Sequence, residues 1–253
     1  MEVTLKDVEE ARERIKQHTV FTPCIKSFNL STITDSELYI KLENLQRCKA
    51  FKFRGALSKV STLKKGSTIV CASAGNHSQG CSLSAKLCGM KCIVYMPKTA
   101  PQSKVDATRG YGAEVRQYGD SFDEANAQCI KDCSENPDWT FVPPFDCNEV
   151  IAGQGTIALE LLEQMDKIDY VVVAVGGGGL AAGVGVAMKA KSPNTKVIAV
   201  NGAIRPATYI KYKTEKGQEF DQTVLEAQKS PDKPLAGKNY FILNLNYRWN
   251  CCY

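Results

Sequence analysis

The sequence of 253 residues has only two histidines and no Cys-x-x-Cys motif. Among its 11 cysteines, Cys88/Cys92 and Cys129/Cys133 have helical spacing, but no histidine or further cysteine pair completes a metal-ligand set around them. We therefore expect no metal site. We interpret the cysteines as small buried side chains of a protein that stays in a reducing compartment.

Long apolar runs and clusters of one charge are also missing. No run approaches the roughly 20 apolar residues that a membrane-spanning helix needs. The net charge of +5 is spread along the chain in short pairs such as Lys64-Lys65, so we expect no nucleic-acid surface. The N-terminal segment MEVTLKDVEEARERI lacks the apolar core of a signal peptide. These absences favour a globular protein of the cytoplasm.

Strand and helix patterns alternate from Thr68 onward. Apolar runs such as TIVCA, KCIVYM and VVVAV predict buried strands, and helical patterns follow them. Earlier, Thr4 predicts the cap of a helix that runs to about His18, LYIKLE predicts a strand over 38–43, and a helix is expected from about Phe53 to Gly66. These repeats indicate an α/β fold with open, mostly parallel sheets and helices on both faces.

The pattern weakens beyond Gly202. Only YFILNLN, residues 240–246, predicts a further strand there. Since little follows it, we expect an exposed sheet edge and exposed apolar surface over 241–245, which is an aggregation risk.

One candidate binding loop consists of glycines. Gly176, Gly177, Gly178 and Gly179 lie between a predicted strand and a predicted helix. Glycines leave backbone N–H groups uncovered, and the helix directs its positive dipole end to the same place. This combination favours phosphate binding over a loop that serves close packing alone.

Lys52 is a candidate nucleophile. It stands between Phe51 and Phe53, and aromatic surroundings lower the pKa of an amine by removing water from it. Such a lysine can form a Schiff base with a carbonyl group. On local sequence alone, an ordinary lysine at a helix start remains the favoured interpretation.

A third loop, SAGNH, follows another predicted strand. It comprises Ser73, Ala74, Gly75, Asn76 and His77. Its backbone N–H groups suit a carboxylate or phosphate, and the Asn side chain can hydrogen-bond a ring hydroxyl, although alone an Asn/Gly turn is favoured. Because ligands bind beyond the carboxyl ends of parallel strands, the three loops together predict one site.

These segments together resemble one family. ENLQ, AFKFRGA, SAGNHSQG, AGQGT and VGGGGL are similar to the fold-type II pyridoxal-phosphate enzymes, whose fold is that of the tryptophan synthase β subunit. MPKTAPQSKVDATRGYGAEV and FVPPFDCNEVIAGQGTIALEL resemble the serine/threonine dehydratase branch. The resemblance covers roughly residues 6–200. It implies a large cofactor-binding domain of residues 1–47 plus 145–253, and a small α/β domain of residues 48–144.

The resemblance implies pyridoxal 5'-phosphate as the cofactor. Lys52 would be the catalytic residue, binding the cofactor as a Schiff base and removing the substrate Cα proton. Phe51 would lie beside the cofactor, Asn76 would bind its phenolic oxygen, and Gly176 to Gly179 would bind its phosphate. The backbone of Ser73 to His77 would hold the substrate carboxylate, and no metal is implied.

The implied activity is that of a lyase of amino acid metabolism. It would convert L-threonine to 2-oxobutanoate, or L-serine to pyruvate, with release of ammonia. Ala74 stands where serine racemases carry a serine that reprotonates Cα, so elimination is favoured over racemisation, which is kept as an alternative. Homo-oligomers are a further expectation.

The sequence departs from the family pattern in two places. Cys48-Lys49-Ala50 stands where the family has a triplet of the Thr-Gly-Ser type. The chain is also shorter than family chains, so we expect a C-terminally truncated protein with an incomplete large domain. The first alternative to the enzyme is therefore an inactive paralogue that binds the cofactor weakly or acts through association.

Overall fold

The computed structural model describes residues 2–200 and the strand at 239–243. The predicted strand residues 244–246 lie outside the described part. The helices are α1 (Leu5–Ile15), α2 (Phe28–Thr34), α3 (Lys52–Val60), α4 (Asn76–Cys88), α5 (Gln102–Gly110), α6 (Phe122–Glu135), α7 (Asn148–Gln164) and α8 (Gly179–Lys191), with a short 3-10 helix at Glu43–Leu45. The strands are β1 (Cys24–Lys26), β2 (Glu37–Lys41), β3 (Thr68–Ala72), β4 (Lys91–Met96), β5 (Glu114–Gln117), β6 (Trp139–Phe141), β7 (Tyr170–Ala174), β8 (Lys196–Val200) and β9 (Asn239–Leu243).

The described strands form two sheets. The first has the order β1-β2-β9-β7-β8, and within it only the β1–β2 pair is antiparallel. The second has the order β5-β4-β3-β6 and is parallel throughout. The predicted α/β fold with mostly parallel sheets is therefore confirmed. No helix in the described part is long and apolar enough to cross a membrane.

Helices cover the second sheet on both faces. Cys71 of β3 packs with Ala85 of α4 and Val105 of α5 on one face. Val70, the preceding residue, packs with Ala125 of α6 on the other face. Successive side chains of a strand point to opposite faces, so this sheet needs apolar residues at every position, which explains its continuous apolar runs.

Two helices begin with capping boxes, and one of the two caps is the predicted Thr4. The Thr4 hydroxyl accepts a hydrogen bond from Asp7 N at 3.4 Å, and the Asp7 carboxylate accepts one from Thr4 N at 2.8 Å. Ser121 and Glu124 make the same reciprocal pair at the start of α6. Such capping boxes satisfy backbone donors that the first helical turn leaves without partners.

Several element boundaries differ from the predicted ones. The first helix ends at Ile15 rather than His18, and α3 ends at Val60 rather than Gly66. The strand predicted over 38–43 ends at Lys41, because the chain turns into the 3-10 helix at Glu43. Neither β1 nor α2 was predicted, since both are short and have no buried residue that would show a period.

The expected exposed sheet edge at 241–245 is wrong for residues 241–243. They belong to β9, which pairs with β2 on one side and with β7 on the other. An interior strand has its backbone donors and acceptors paired on both sides, so it offers no free edge. Residues 244–245 lie outside the described part.

The two sheets draw on different parts of the chain. Strands of the first sheet lie within 24–41, 170–200 and 239–243, and those of the second within 68–141. The division into domains of residues 1–47 plus 145–253 and residues 48–144 remains a prediction.

Two glycines allow α7 and α8 to cross closely. A Cβ added at Gly155 would lie 2.8 Å from the carbonyl oxygen of Gly183. A Cβ added at Gly183 would overlap the Ile151 carbonyl oxygen and lie 2.6 Å from Gly155 N. Because α8 begins at Gly179, this crossing fixes the position of the glycine loop that precedes it.

We expect Gly183→Ala to lower the free energy of unfolding by about 1–3 kcal/mol, because the added methyl group meets backbone atoms that cannot move aside. The control is Gly185→Ala on the same helix, where nothing lies within 4 Å of the added Cβ. It should raise stability by about 0.5–1 kcal/mol through helix propensity. Urea unfolding measures both, and equal midpoints for the two variants would contradict the close crossing.

Candidate active site

Two of the predicted loops begin where a parallel strand ends. The segment Ser73 to His77 follows β3, and Ser73 N continues the sheet by donating to Tyr95 O at 3.1 Å. The glycine loop follows β7, and Val175 N donates to Val200 O at 2.8 Å. Both loops thus lie at carboxyl ends of strands, where ligands bind in open parallel sheets.

Lys52 is the first residue of α3 and is half-buried. Its Nζ donates a hydrogen bond to the carbonyl oxygen of Pro144 at 2.6 Å. The same Nζ lies 5.5 Å from the ring centre of Phe51 and 5.9 Å from that of Phe145. Burial lowers the pKa of Lys52 to about 8, and the nearby Cys81 opposes this shift. Lys52 therefore has the desolvated, aromatic surroundings that the sequence predicts.

The aromatic neighbours differ in part from the sequence-based expectation. Phe53 turns away into a core cluster with Ile15 and Leu57. The second ring beside Lys52 belongs to Phe145, which was not among the residues predicted from the sequence. In the sequence, the one indication was that Phe145 follows two prolines shortly after β6. The carboxyl end of β6 lies at the same edge of the sheet as that of β3.

The glycine loop lies against Phe145. A Cβ added at Gly177 would overlap the Phe145 ring, and one added at Gly179 would lie 2.8 Å from Phe145 O. Gly178 has a φ of 87°, which favours glycine. The structure thus brings Lys52 and the glycine loop together around one phenylalanine. The first N–H groups of α8 have no acceptor within the helix and carry its positive dipole end.

The segment Ser73 to His77 is braced by short polar contacts. Gly75 N donates to Ser73 Oγ at 3.2 Å, and Ser78 Oγ donates to Gly75 O at 2.6 Å. Asn76 is exposed and is the first residue of α4, so the helix begins within the loop rather than after it. Ala74 is buried in an apolar cluster and presents no polar group.

Gly80 brings this loop close to Lys52. A Cβ at Gly80 would lie 3.3 Å from the backbone oxygen of Lys52 and equally far from Phe53 N. Glycine at this position lets α4 approach the start of α3, and Asn76 lies one helical turn earlier on α4. The close contact of the two helix starts brings the Ser73 to His77 segment to the side of Lys52.

His77 is a poor candidate for a catalytic base. Its side chain is 3% exposed, and Nε2 lies 2.9 Å from Val142 O, a group that can only accept. Burial lowers the pKa of His77 to about 3, the charge of Lys52 acts in the same direction, and the Val142 hydrogen bond opposes them. The imidazole is therefore neutral, with its proton on Nε2.

A buried ionic network fixes the helix that carries Lys52. The guanidinium group of Arg54 donates to Glu43 at 2.8 and 2.9 Å and to Glu160 at 2.6 and 3.0 Å. Lys41 Nζ donates to Glu160 at 2.5 Å. Burial acts to raise the pKa of Glu43, but Arg54 outweighs it and lowers that pKa. Sequence reasoning missed this network because its members lie far apart in the chain.

The side chains and backbone groups around Lys52 and the glycine loop fit pyridoxal 5'-phosphate, the cofactor that the sequence predicts. A lysine with a lowered pKa suits a carbonyl group, and the helix N-terminus behind a glycine loop suits a phosphate. The exposed amide of Asn76 suits a ring oxygen. Phe51, which is 6% exposed, supplies an apolar wall beside Lys52.

Comparison with known proteins covers most of the chain. The family description "Pyridoxal-phosphate dependent enzyme" matches residues 15–237. A biosynthetic L-threonine dehydratase of Haemophilus influenzae is 44% identical over 213 residues, which are 83% of this chain and 41% of that protein. The chain therefore spans less than half the length of this relative.

Two solved structures share the fold. The processed form of threonine deaminase isoform 2 from Solanum lycopersicum has a TM-score of 0.75 and 38% identity, over 78% of this chain and 54% of that one. A serine racemase from Dictyostelium discoideum has a TM-score of 0.75 and 38% identity, over 79% and 66%. The family match and these similarities confirm the predicted fold type and cofactor. The chain belongs to the pyridoxal-phosphate-dependent enzymes, and its fold is that of type II.

Proposed function

We propose that the chain catalyses β-elimination from L-threonine, L-serine or both, as a threonine/serine ammonia-lyase. The observation that carries the proposal is the position of Lys52. Its amine has a pKa of about 8 and lies beside the glycine loop across Phe145, as an amine that serves both as cofactor ligand and as base requires. The names of the threonine dehydratase and threonine deaminase relatives support the same reaction.

Each side chain has a role that its surroundings support. Gly176 to Gly179 and the start of α8 would hold the cofactor phosphate, and Asn76 its phenolic oxygen. The bound cofactor supplies an electron sink for the negative charge that develops at Cα. The neutral amine of Lys52 removes the Cα proton. The backbone N–H groups of Ser73 to His77 hold the substrate carboxylate.

The surroundings of Lys52 assist proton removal. Its low pKa leaves roughly a tenth of the amine neutral at pH 7 and half at pH 8, whereas an ordinary lysine would be almost fully charged. Phe51 and Phe145 limit water around Nζ, which strengthens electrostatic interactions within the site. His77 takes no part in proton transfer, because it is neutral and hydrogen-bonded to the backbone.

Other sequence-based expectations remain proposals. All nine cysteines in the described part are free thiols, which supports a reducing compartment such as the cytoplasm. The two sheets support a cofactor-binding domain of residues 1–47 plus 145–253 beside a small domain of residues 48–144. Homo-oligomers stay a prediction.

The lowered pKa of Lys52 can be measured without activity. Competitive labelling with trace acetic anhydride, read by mass spectrometry of the digest, should give Lys52 half-maximal reactivity near pH 8, because only the neutral amine reacts. Phe145→Ala admits water, so the midpoint should move up toward the ordinary lysine pKa of about 10.4. A wild-type midpoint near 10 would contradict the desolvated site.

The proposed activity predicts ammonia and a 2-oxo acid from L-threonine or L-serine when the 253-residue chain is supplied with pyridoxal 5'-phosphate. Lys52→Ala should lower the rate by about 10²–10⁴-fold, the usual contribution of a positioned proton-transfer group. Lys64→Ala, at an exposed lysine in the turn after α3, is the control and should keep the wild-type rate.

Two outcomes would overturn this proposal. One is the absence of ammonia from both amino acids with the cofactor present. The other is equal product formation by wild type and Lys52→Ala. A chain that yields no product but forms stable complexes in analytical ultracentrifugation would favour the inactive, association-type paralogue.

Serine racemase activity is the second candidate, since a solved serine racemase shares the fold. Ala74 has no proton to give and is only 4% exposed. With L-serine we therefore expect about 10²-fold less D-serine than pyruvate, and a rise in D-serine for Ala74→Ser. Chiral chromatography of the products decides this, and comparable amounts of D-serine and pyruvate from the wild type would favour the racemase.

A further inference from the structure

We propose that Cys71, His77 and Cys81 form a buried site for a thiophilic divalent cation, with Zn²⁺ as the ion that the ligand set fits. The ligand atoms of these three residues all lie within 4.8 Å of one another. Their side chains are 0%, 3% and 0% exposed. His77 ends the loop that is proposed to hold the substrate carboxylate, and Cys81 lies near Lys52. The occupancy of the site can nevertheless be measured on a chain of any activity.

The fold places the three ligands on two packed elements. Cys71 lies in β3, while His77 and Cys81 are one helical turn apart on α4, which packs on the same face of the sheet. Side chains four residues apart share a helix face, so both α4 ligands point toward the strand. The cysteine spacing along the chain predicted no metal site, because Cys71 is contributed by the neighbouring strand and not by the helix that carries the other two ligands.

The histidine is oriented for metal binding. Its Nε2 proton is donated to Val142 O at 2.9 Å, which leaves the lone pair of Nδ1 free to bind a cation. Metal-binding histidines usually have their second nitrogen fixed by such an acceptor. The Cys81 sulfur lies 3.8 Å from Nδ1 and 3.4 Å from Nε2, so either nitrogen of the ring is near it. Ligand atoms of a tetrahedral zinc ion are separated by about 3.3–3.8 Å, given bond lengths of roughly 2.0–2.3 Å.

The charge balance favours a divalent ion. Cys71 and Cys81 are buried free thiols. Binding of Zn²⁺ would release one proton from each thiol to solvent. Two thiolates, a neutral imidazole and one Zn²⁺ then sum to zero charge, which limits the cost of burial.

A fourth buried thiol lies on the neighbouring strand. Cys92 of β4 belongs to the same buried cluster as Cys71 and Cys81, and its sulfur lies 3.9 Å from Ser82 Oγ. Three or four thiol and imidazole ligands without carboxylates form the set that zinc prefers in structural sites. Bound there, the ion would connect β3 to the first turns of α4 and so hold the Ser73 to His77 loop between them.

The test compares metal content among variants of the full chain. All proteins carry Cys251→Ala and Cys252→Ala, so that this adjacent pair contributes no zinc. They are produced with added Zn²⁺, dialysed against a weak chelator, and measured by plasma mass spectrometry. We expect about one zinc per chain in this background and in Cys129→Ala, a buried thiol on the opposite face of the sheet. Cys71→Val and Cys81→Ala should each hold less than a tenth of that amount.

Two controls keep the result interpretable. Cooperative thermal unfolding establishes that each variant is folded, and Cys71→Val keeps an apolar, strand-favouring side chain in β3. Chains produced with Co²⁺ should show thiolate-to-cobalt charge-transfer absorption that Cys81→Ala lacks. Less than a tenth of a zinc per chain in the background protein, or an unchanged zinc content in both folded ligand variants, would overturn the proposal.

Discussion

The position of the candidate site depends on the buried guanidinium group of Arg54. It binds two carboxylates, Glu43 from the 3-10 helix and Glu160 from α7, and Lys41 of β2 completes a set with no net charge. Removing one member of such a buried set typically costs about 3–5 kcal/mol, because the remaining charge is left without a partner. Since Arg54 is two residues after Lys52 on the same helix, this network fixes the start of α3 against both neighbouring elements.

Close helix contacts extend this constraint to the glycine loop. A Cβ at Gly153 of α7 would lie 2.6 Å from Arg54 O, so α7 also approaches α3 closely. The AGQGT segment, residues 152–156, therefore lies inside a helix and supplies contact surface to two others. One rigid helix thus sets the positions of Lys52 and of the loop that begins α8.

Local sequence patterns predicted most strands of the second sheet. Features that depend on contacts between distant parts of the chain were not predicted. TIVCA matches β3 residue for residue, because a strand buried on both faces is apolar at every position. The predicted positions of Lys52 at a helix start and of the two loops after strands are also those of the structure. Phe145, the Arg54 network and the Cys71–His77–Cys81 cluster were missed, because partners distant in sequence leave no local period. The central place of β9 was missed for the same reason.

The triplet that departs from the family pattern, Cys48-Lys49-Ala50, is compatible with a desolvated Lys52 amine. Cys48 and Ala50 are each 1% exposed, and Cys48 packs with Phe53 under the start of α3. Lys49 has a φ of 56°, and its side chain is exposed to solvent. The added positive charge therefore lies in water, where its effect on the Lys52 amine is screened, while apolar atoms fill the buried positions on either side. Neither buried member of the triplet carries a charge, so the substitution brings no additional buried charge to the start of α3.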